Sequence, residues 1–150
     1  MTFGVQTQTA WLNSLALASV AGLLVFCILP MVTFRIGDAM TFTGWGIYGN
    51  LILVPLVPVL LVLLAPHVDT LRPHVPLIAM VTGGVALLSL LRLVLTSTGF
   101  GRSFRQFDAI GANLPSNPYT AHWFSILIGA AALGCGIAIG LIGYQLRKTP

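Results

Sequence analysis

Residues 121–146 read AHWFSILIGAAALGCGIAIGLIGYQL, a run without one Asp, Glu, Lys or Arg. A bilayer core about 30 Å thick needs about 20 predominantly apolar helical residues, so this run is long enough to cross one. Its glycines are not scattered. Gly129, Ala132, Gly136, Gly140 and Gly143 fall three or four apart, on one helix face, and Gly136 with Gly140 makes a GxxxG step that lets a second backbone come close. Such a helix is expected to pack against another helix rather than stand alone in lipid.

Three more stretches of the same kind precede it, at about 11–32, 46–65 and 75–96. Inside hydrocarbon every backbone polar group must be paired within the chain, so uninterrupted apolar runs of this length predict helices. The fold class expected is an all-α integral membrane protein: a four-helix bundle forming one domain over all 150 residues. Composition agrees. The chain is 57% apolar and 7% charged, with a mean hydropathy of +0.96, whereas soluble domains carry about 25% charged residues. The flank before Trp11 has no Lys or Arg, so the first span is expected to be a retained helix and not a signal peptide.

The connections have their own patterns. Residues 32–36 and 39–43 are β-prone and flank Gly37-Asp38, which predicts a small extracytoplasmic hairpin. A lone hairpin is marginal in water, so it is expected to lean on another loop or a partner. Two prolines between 66 and 74 predict a tight turn. Residues 97–120 are predicted to form a loop. In it Phe100, Phe104, Phe107 and Ile110 recur at helical spacing, with Arg102 and Arg105 on the other side of the wheel, as in a helix lying in the lipid interface. Asn113 to Pro118 then returns the chain to the last span.

The first span carries a lesser small-residue series, Ser14, Ala18 and Gly22. Together with the glycine face of the last span it predicts two close helix contacts, one internal and one available to another membrane subunit or a second copy. Pro55 and Pro58 predict a kink in the second span. Arg92 is the charged residue that intrudes on a span, and placing such a residue at the bilayer centre costs at least ~2.5–3.5 kcal/mol. Near the end of its helix it can snorkel to the interface or pair with Asp38 or Asp108.

The residues argue against most chemistry. There is no glutamate, and the three aspartates lie in loops. His67 and His74 are expected at one membrane face and His122 at the other, too far apart for two axial haem ligands, and no metal-ligand spacing is present. Cys27 and Cys135 differ in depth by ~10–15 Å, beyond disulfide reach. Asp38, Ser103, Asp108 and His122 share a face, but nothing in their spacing specifies a triad. No catalytic residue, metal or cofactor is therefore assigned. Seven basic residues form no stripe, so lipid headgroups and not nucleic acid are the expected anionic partner.

Loop charges nearly balance across the bundle. The pair Arg147-Lys148 closing the last span favours both termini in the cytoplasm, with the chain in the cytoplasmic membrane.

Leu29-Pro30 closing the first span and Thr43-Gly44-Trp45 opening the second resemble uncharacterised small four-span membrane proteins of high-GC actinobacteria. That resemblance implies the layout above and transfers no catalytic residue. Met31 departs from it, standing where an aromatic is frequent, and the third loop is longer.

The functional expectation is a non-enzymatic membrane protein acting as an accessory or scaffold subunit through its helix faces, hairpin and third loop. The alternative is a small transporter or channel with a polar site formed by Asn50, Pro55, Pro58 and Arg92.

Overall fold

The computed structural model describes residues 3–35, 38–109 and 118–148; for 3–9, 101, 104, 105 and 107–109 it describes the backbone alone. The elements are α1 (Phe3–Ile28), β1 (Pro30–Arg35), β2 (Ala39–Thr43), α2 (Gly44–Tyr48), α3 (Leu53–Leu64), α4 (Val75–Ala109), β3 (Tyr119–Ala121) and α5 (Trp123–Lys148). A 3-10 turn over Gly49–Ile52 joins α2 to α3, so the two make one span. Four segments are long and apolar enough to cross a membrane: Ala10–Ile28, Gly44–His67, Arg72–Phe100 and Trp123–Lys148.

The four run up, down, up and down in a ring. α5 packs on both α4 and α1, and α3 closes the ring against α4 and α1. Both pairs made by α5 are antiparallel: Gly22 and Phe26 of α1 meet Ala132 and Gly129, while Ala79, Gly83 and Ala86 of α4 meet Gly143, Gly140 and Gly136. The termini and the 65–74 connection lie at one end and the strands at the other. Two buried clusters fill the bundle. Leu23, Phe26, Met31, Ala86, Leu93 and Leu133 are among those at the strand end; Leu12, Ala16, Val59, Val62, Ala79 and Ile139 fill the half nearer the termini.

Outside the ring the helices expose large apolar side chains, among them Ile28, Leu88, Leu127 and Phe124. A surface of that kind suits a lipid surround, since patches of this extent in water drive aggregation.

Local chemistry explains where elements begin and end. The apolar run of the first span continues to Val32, but the helix stops at Ile28: Pro30 has no N–H to donate, and the chain passes directly into β1. The first span therefore ends earlier than its hydropathy predicts. β1 and β2 pair antiparallel, with Thr33 opposite Thr41 and Phe34 opposite Met40. Gly37 of the expected turn lies outside the described residues. β3 adds to the other edge of β1, setting Thr33 opposite Thr120 and Val32 opposite Ala121, so the hairpin becomes a sheet ordered β2-β1-β3. Thr43 caps α2, its hydroxyl accepting from the Gly46 N–H at 3.2 Å.

The third connection is shorter than the sequence predicts. Residues 97–109 continue α4 as one helix instead of leaving the span to lie in the interface. Nothing between Thr96 and Ala109 breaks a helix, and the hydroxyls of Ser97, Thr98 and Ser103 turn back onto the carbonyls of Leu93, Val94 and Gly99. At 35 residues α4 is longer than a bilayer core requires, and its distal part rises beside the sheet. Phe100 meets Phe34 of β1 edge-on, ring centroids 5.7 Å apart, and Phe34 meets Phe42 of β2 at 5.6 Å. Phe100 thus packs on the sheet. Arg102 is exposed; for Phe104, Arg105, Phe107 and Asp108 only the helical backbone is described, and 110–117, with Ile110 and Asn113, lie outside the described residues.

Candidate functional site

Two groups of polar side chains stand out inside the spans, apart from Asn13 of α1, whose Oδ1 is buried without a hydrogen-bond partner. The first serves packing. Ser19, 1% exposed, donates to the Ala132 carbonyl at 2.8 Å and ties α1 to α5. Thr82, equally buried, donates within α4 to Ile78. Ser125 at the head of α5 donates to the Pro30 carbonyl at 2.5 Å.

The second group stands at a cleft, which Ser89 and Arg92 line. Ser89, Arg92 and Thr96 stand three and four apart on α4 and share one face. Opposite them the second span is broken at Gly49, the one described residue with a positive φ, +51°. The α2 helix ends there, Gly49 donating to the Trp45 carbonyl. Tyr48, the last residue of α2, and Leu51 and Ile52 of the 3-10 turn that follows share the cleft with α4. The break thus falls before the prolines: Pro55 sits in the first turn of α3, and only Pro58 is inside that helix.

Leu23, Phe26, Tyr48, Leu51, Ile52, Pro55, Ser89, Arg92, Leu93, Gly129 and Leu133 line a half-open cleft of about 50 Å³. An outer groove of about 230 Å³, lined by Leu51, Val54, Val85, Leu88, Ser89 and Arg92, meets it at Leu51, Ser89 and Arg92. The Tyr48 ring rests against Phe26, centroids 5.9 Å apart. Its hydroxyl is buried and has no hydrogen-bond partner; Thr96 and Arg92 are its polar neighbours. Among the described residues no carboxylate lines either cleft.

Of the residues singled out in the sequence, Arg92 and Pro55 come together here. Asn50 is exposed on the 3-10 turn, Pro58 lies further down α3, and Asp38 is exposed beside the strands; none of the three lines the clefts. Tyr48 and Ser89 complete the site. The Ser89-Arg92-Thr96 spacing signals this face in the sequence, but only the break at Gly49 turns Tyr48 onto it.

The small-residue faces are placed as follows. Gly129, Ala132, Gly136, Gly140 and Gly143 face α1 and α4 inside the ring. Gly22 meets Ala132, whereas Ser14 and Ala18 are exposed, and the buried seam of α1 runs through Leu12, Ala16, Ser19, Leu23 and Phe26.

At the strand end His122 joins a polar chain. Its Nε2 lies 2.9 Å from the Thr33 hydroxyl, which lies 3.0 Å from that of Thr41, and the backbone N–H of His122 donates to the Met31 carbonyl. This chain crosses the sheet from β2 to the head of α5. Among the described residues no three His, Cys, Asp or Glu side chains gather as metal ligands, and Cys27 and Cys135 are both free.

Fold and surface define a helical protein with four helices long and apolar enough to cross a membrane and a small sheet at one end. Compared with protein-family models and with curated proteins, the chain matches none.

Proposed function

We propose that the protein is a non-enzymatic, multi-pass protein of the cytoplasmic membrane, with both termini cytoplasmic, working as an accessory subunit of a larger membrane complex. One observation carries the reading: β2 is an edge strand, exposed from Ala39 to Phe42, and it is held rigidly at the end of the bundle. An edge strand presents unpaired backbone donors and acceptors to whatever lies beside it, a common route to strand addition by a partner chain. β1 leaves α1 after a single residue, β3 enters α5 through His122, and Phe100 braces the sheet from α4. The glycine face of α5 is occupied inside the ring, so it supports assembly of this chain with itself less well than the sheet edge supports contact with another subunit.

Mass after mild extraction tests this. In native gels of detergent-solubilised membranes, wild-type protein should migrate well above its protomer mass. Met40→Lys, which puts a charge on the exposed edge at a side chain that is 61% exposed, should release protomer without loss of helicity. Wild-type protein running at protomer mass, or a Met40→Lys variant that keeps the full complex, counts against the reading.

A further inference from the structure

The paired clefts around Arg92 are unlike the rest of the bundle. They bring a guanidinium and a buried, unpartnered phenol hydroxyl together in walls that are otherwise almost wholly aliphatic. A guanidinium within a span needs an anion or an exit to the interface, and a buried hydroxyl without a partner is a cost the fold would shed if it had no use. We propose that Arg92 and Tyr48 form the head-group site of an anionic phospholipid drawn from the strand-side leaflet.

Position supports this occupant. Arg92 lies eight residues before Phe100, the end of the apolar segment, or about 12 Å along the helix; the 29 residues of that segment outrun a core about 30 Å thick by about 13 Å, so with the segment centred the core boundary lies about 5 Å from Arg92, within reach of its side chain. Phe26, Tyr48 and Gly129 stand at the same level on the other elements. The outer groove, between α3 and α4, carries Val54, Val85 and Leu88, and Val54 and Leu88 are exposed to the surrounding lipid. An acyl chain can enter it sideways, without crossing water.

Chemistry narrows the class. Two apolar branches meet at one polar point, which suits a two-chain lipid better than a single-chain acid. Among the described residues the lining has a cation but no carboxylate, so the positive group of a zwitterionic headgroup would find no counter-charge, while the phosphate of an anionic one meets Arg92. Guanidinium and phosphate form paired charge-assisted hydrogen bonds. Tyr48 donates its hydroxyl proton to a phosphate oxygen, and the proton stays on Tyr48; no covalent step is involved.

Native mass spectrometry of the protein released from nanodiscs of equimolar phosphatidylglycerol and phosphatidylcholine reads the site. One phosphatidylglycerol should stay bound, in at least fivefold excess over phosphatidylcholine. Arg92→Gln should lower that retention roughly tenfold and Tyr48→Phe two- to threefold, the paired bonds and full charge of a guanidinium set against the single bond of one hydroxyl. Arg35→Gln, on the sheet, should leave it unchanged. Equal retention of both lipids, or an Arg92→Gln variant that binds as wild type does, overturns the proposal. So does displacement of the lipid by inorganic phosphate or by oleate at equal concentration, which would assign the site to a free anion or a single-chain acid. Should Arg92→Gln fail to fold, wild-type protein labelled by phosphatidylglycerol with a diazirine in its acyl chain decides. Adducts concentrated on Val54, Val85 and Leu88 support the site, and adducts spread evenly over Leu17 and Leu127 as well contradict it.

Discussion

Gly83 of α4 and Gly140 of α5 touch backbone to backbone. A Cβ on Gly83 would lie 2.6 Å from the Gly140 Cα, and one on Gly140 would lie 2.5 Å from the Gly83 Cα. The contact is reciprocal, so neither helix can gain a methyl group without moving the other. It is the tightest point of a seam that continues through Gly136 on Ala86 and Gly143 on Ala79. With no hydrophobic drive between helices in lipid, packing this close is a principal source of their association.

The first prediction follows from that contact. Gly140→Ala should destabilise the bundle by about 1–3 kcal/mol, the usual range for overpacking. Gly134 lies on the same helix with open space around it, and Gly134→Ala should be neutral or should stabilise by up to about 1 kcal/mol through helix propensity. Unfolding titrations in mixed micelles compare the two. Equal effects would mean that the α4–α5 seam is not as close as described.

A second prediction separates two serines of α1. Ser19→Ala removes the hydrogen bond to the Ala132 carbonyl and should cost about 0.6 kcal/mol, with ~1.7 as an upper bound for bonds between membrane helices. Ser14 is exposed, so Ser14→Ala should stay within about 0.5 kcal/mol of wild type. The same titrations read both.

These serines show what the sequence carries and what it does not. Ser14, Ala18 and Gly22 and the series Ala16, Ser19, Leu23 both repeat at helical spacing, and small residues alone do not say which set faces the bundle. On α5 the five-member glycine and alanine face is long enough to locate the seam, but its partners on α1 and α4 depend on the ring order. Four spans, the hairpin and its need for support were legible from hydropathy and β-propensity. The supporting strand was not: Tyr119-Thr120-Ala121 is three residues long and gains its pairing only from β1. The end of α4 was misplaced for a related reason. Falling hydropathy after Thr96 marks where apolar surface ends, not where the helix ends.

The continuity of α4 gives a third prediction. A nitroxide at Gln106 should sit about 13 Å further from the bilayer centre than one at Ser97, from nine residues at 1.5 Å each. A segment lying in the interface would place both at similar depth. Power-saturation EPR with a membrane-soluble and a water-soluble relaxant measures the difference.

A fourth prediction concerns the sheet. Thr33→Val removes the link between Thr41 and His122 and should weaken strand-end pairing by about 0.5–1.5 kcal/mol. Hydrogen exchange should quicken at Thr120 and Ala121 while the middle of α5 keeps its protection. Unchanged exchange in β3 would show that the backbone pairing holds the strand without the polar chain.

The proposed role rests on β2 meeting another subunit, and the most direct measurement places a photoreactive amino acid at Met40 in the native membrane. Irradiation should yield one discrete protein adduct from Met40, absent when the probe is moved to Leu88 on the lipid-facing side of α4. Lipid adducts alone from both positions would contradict the account.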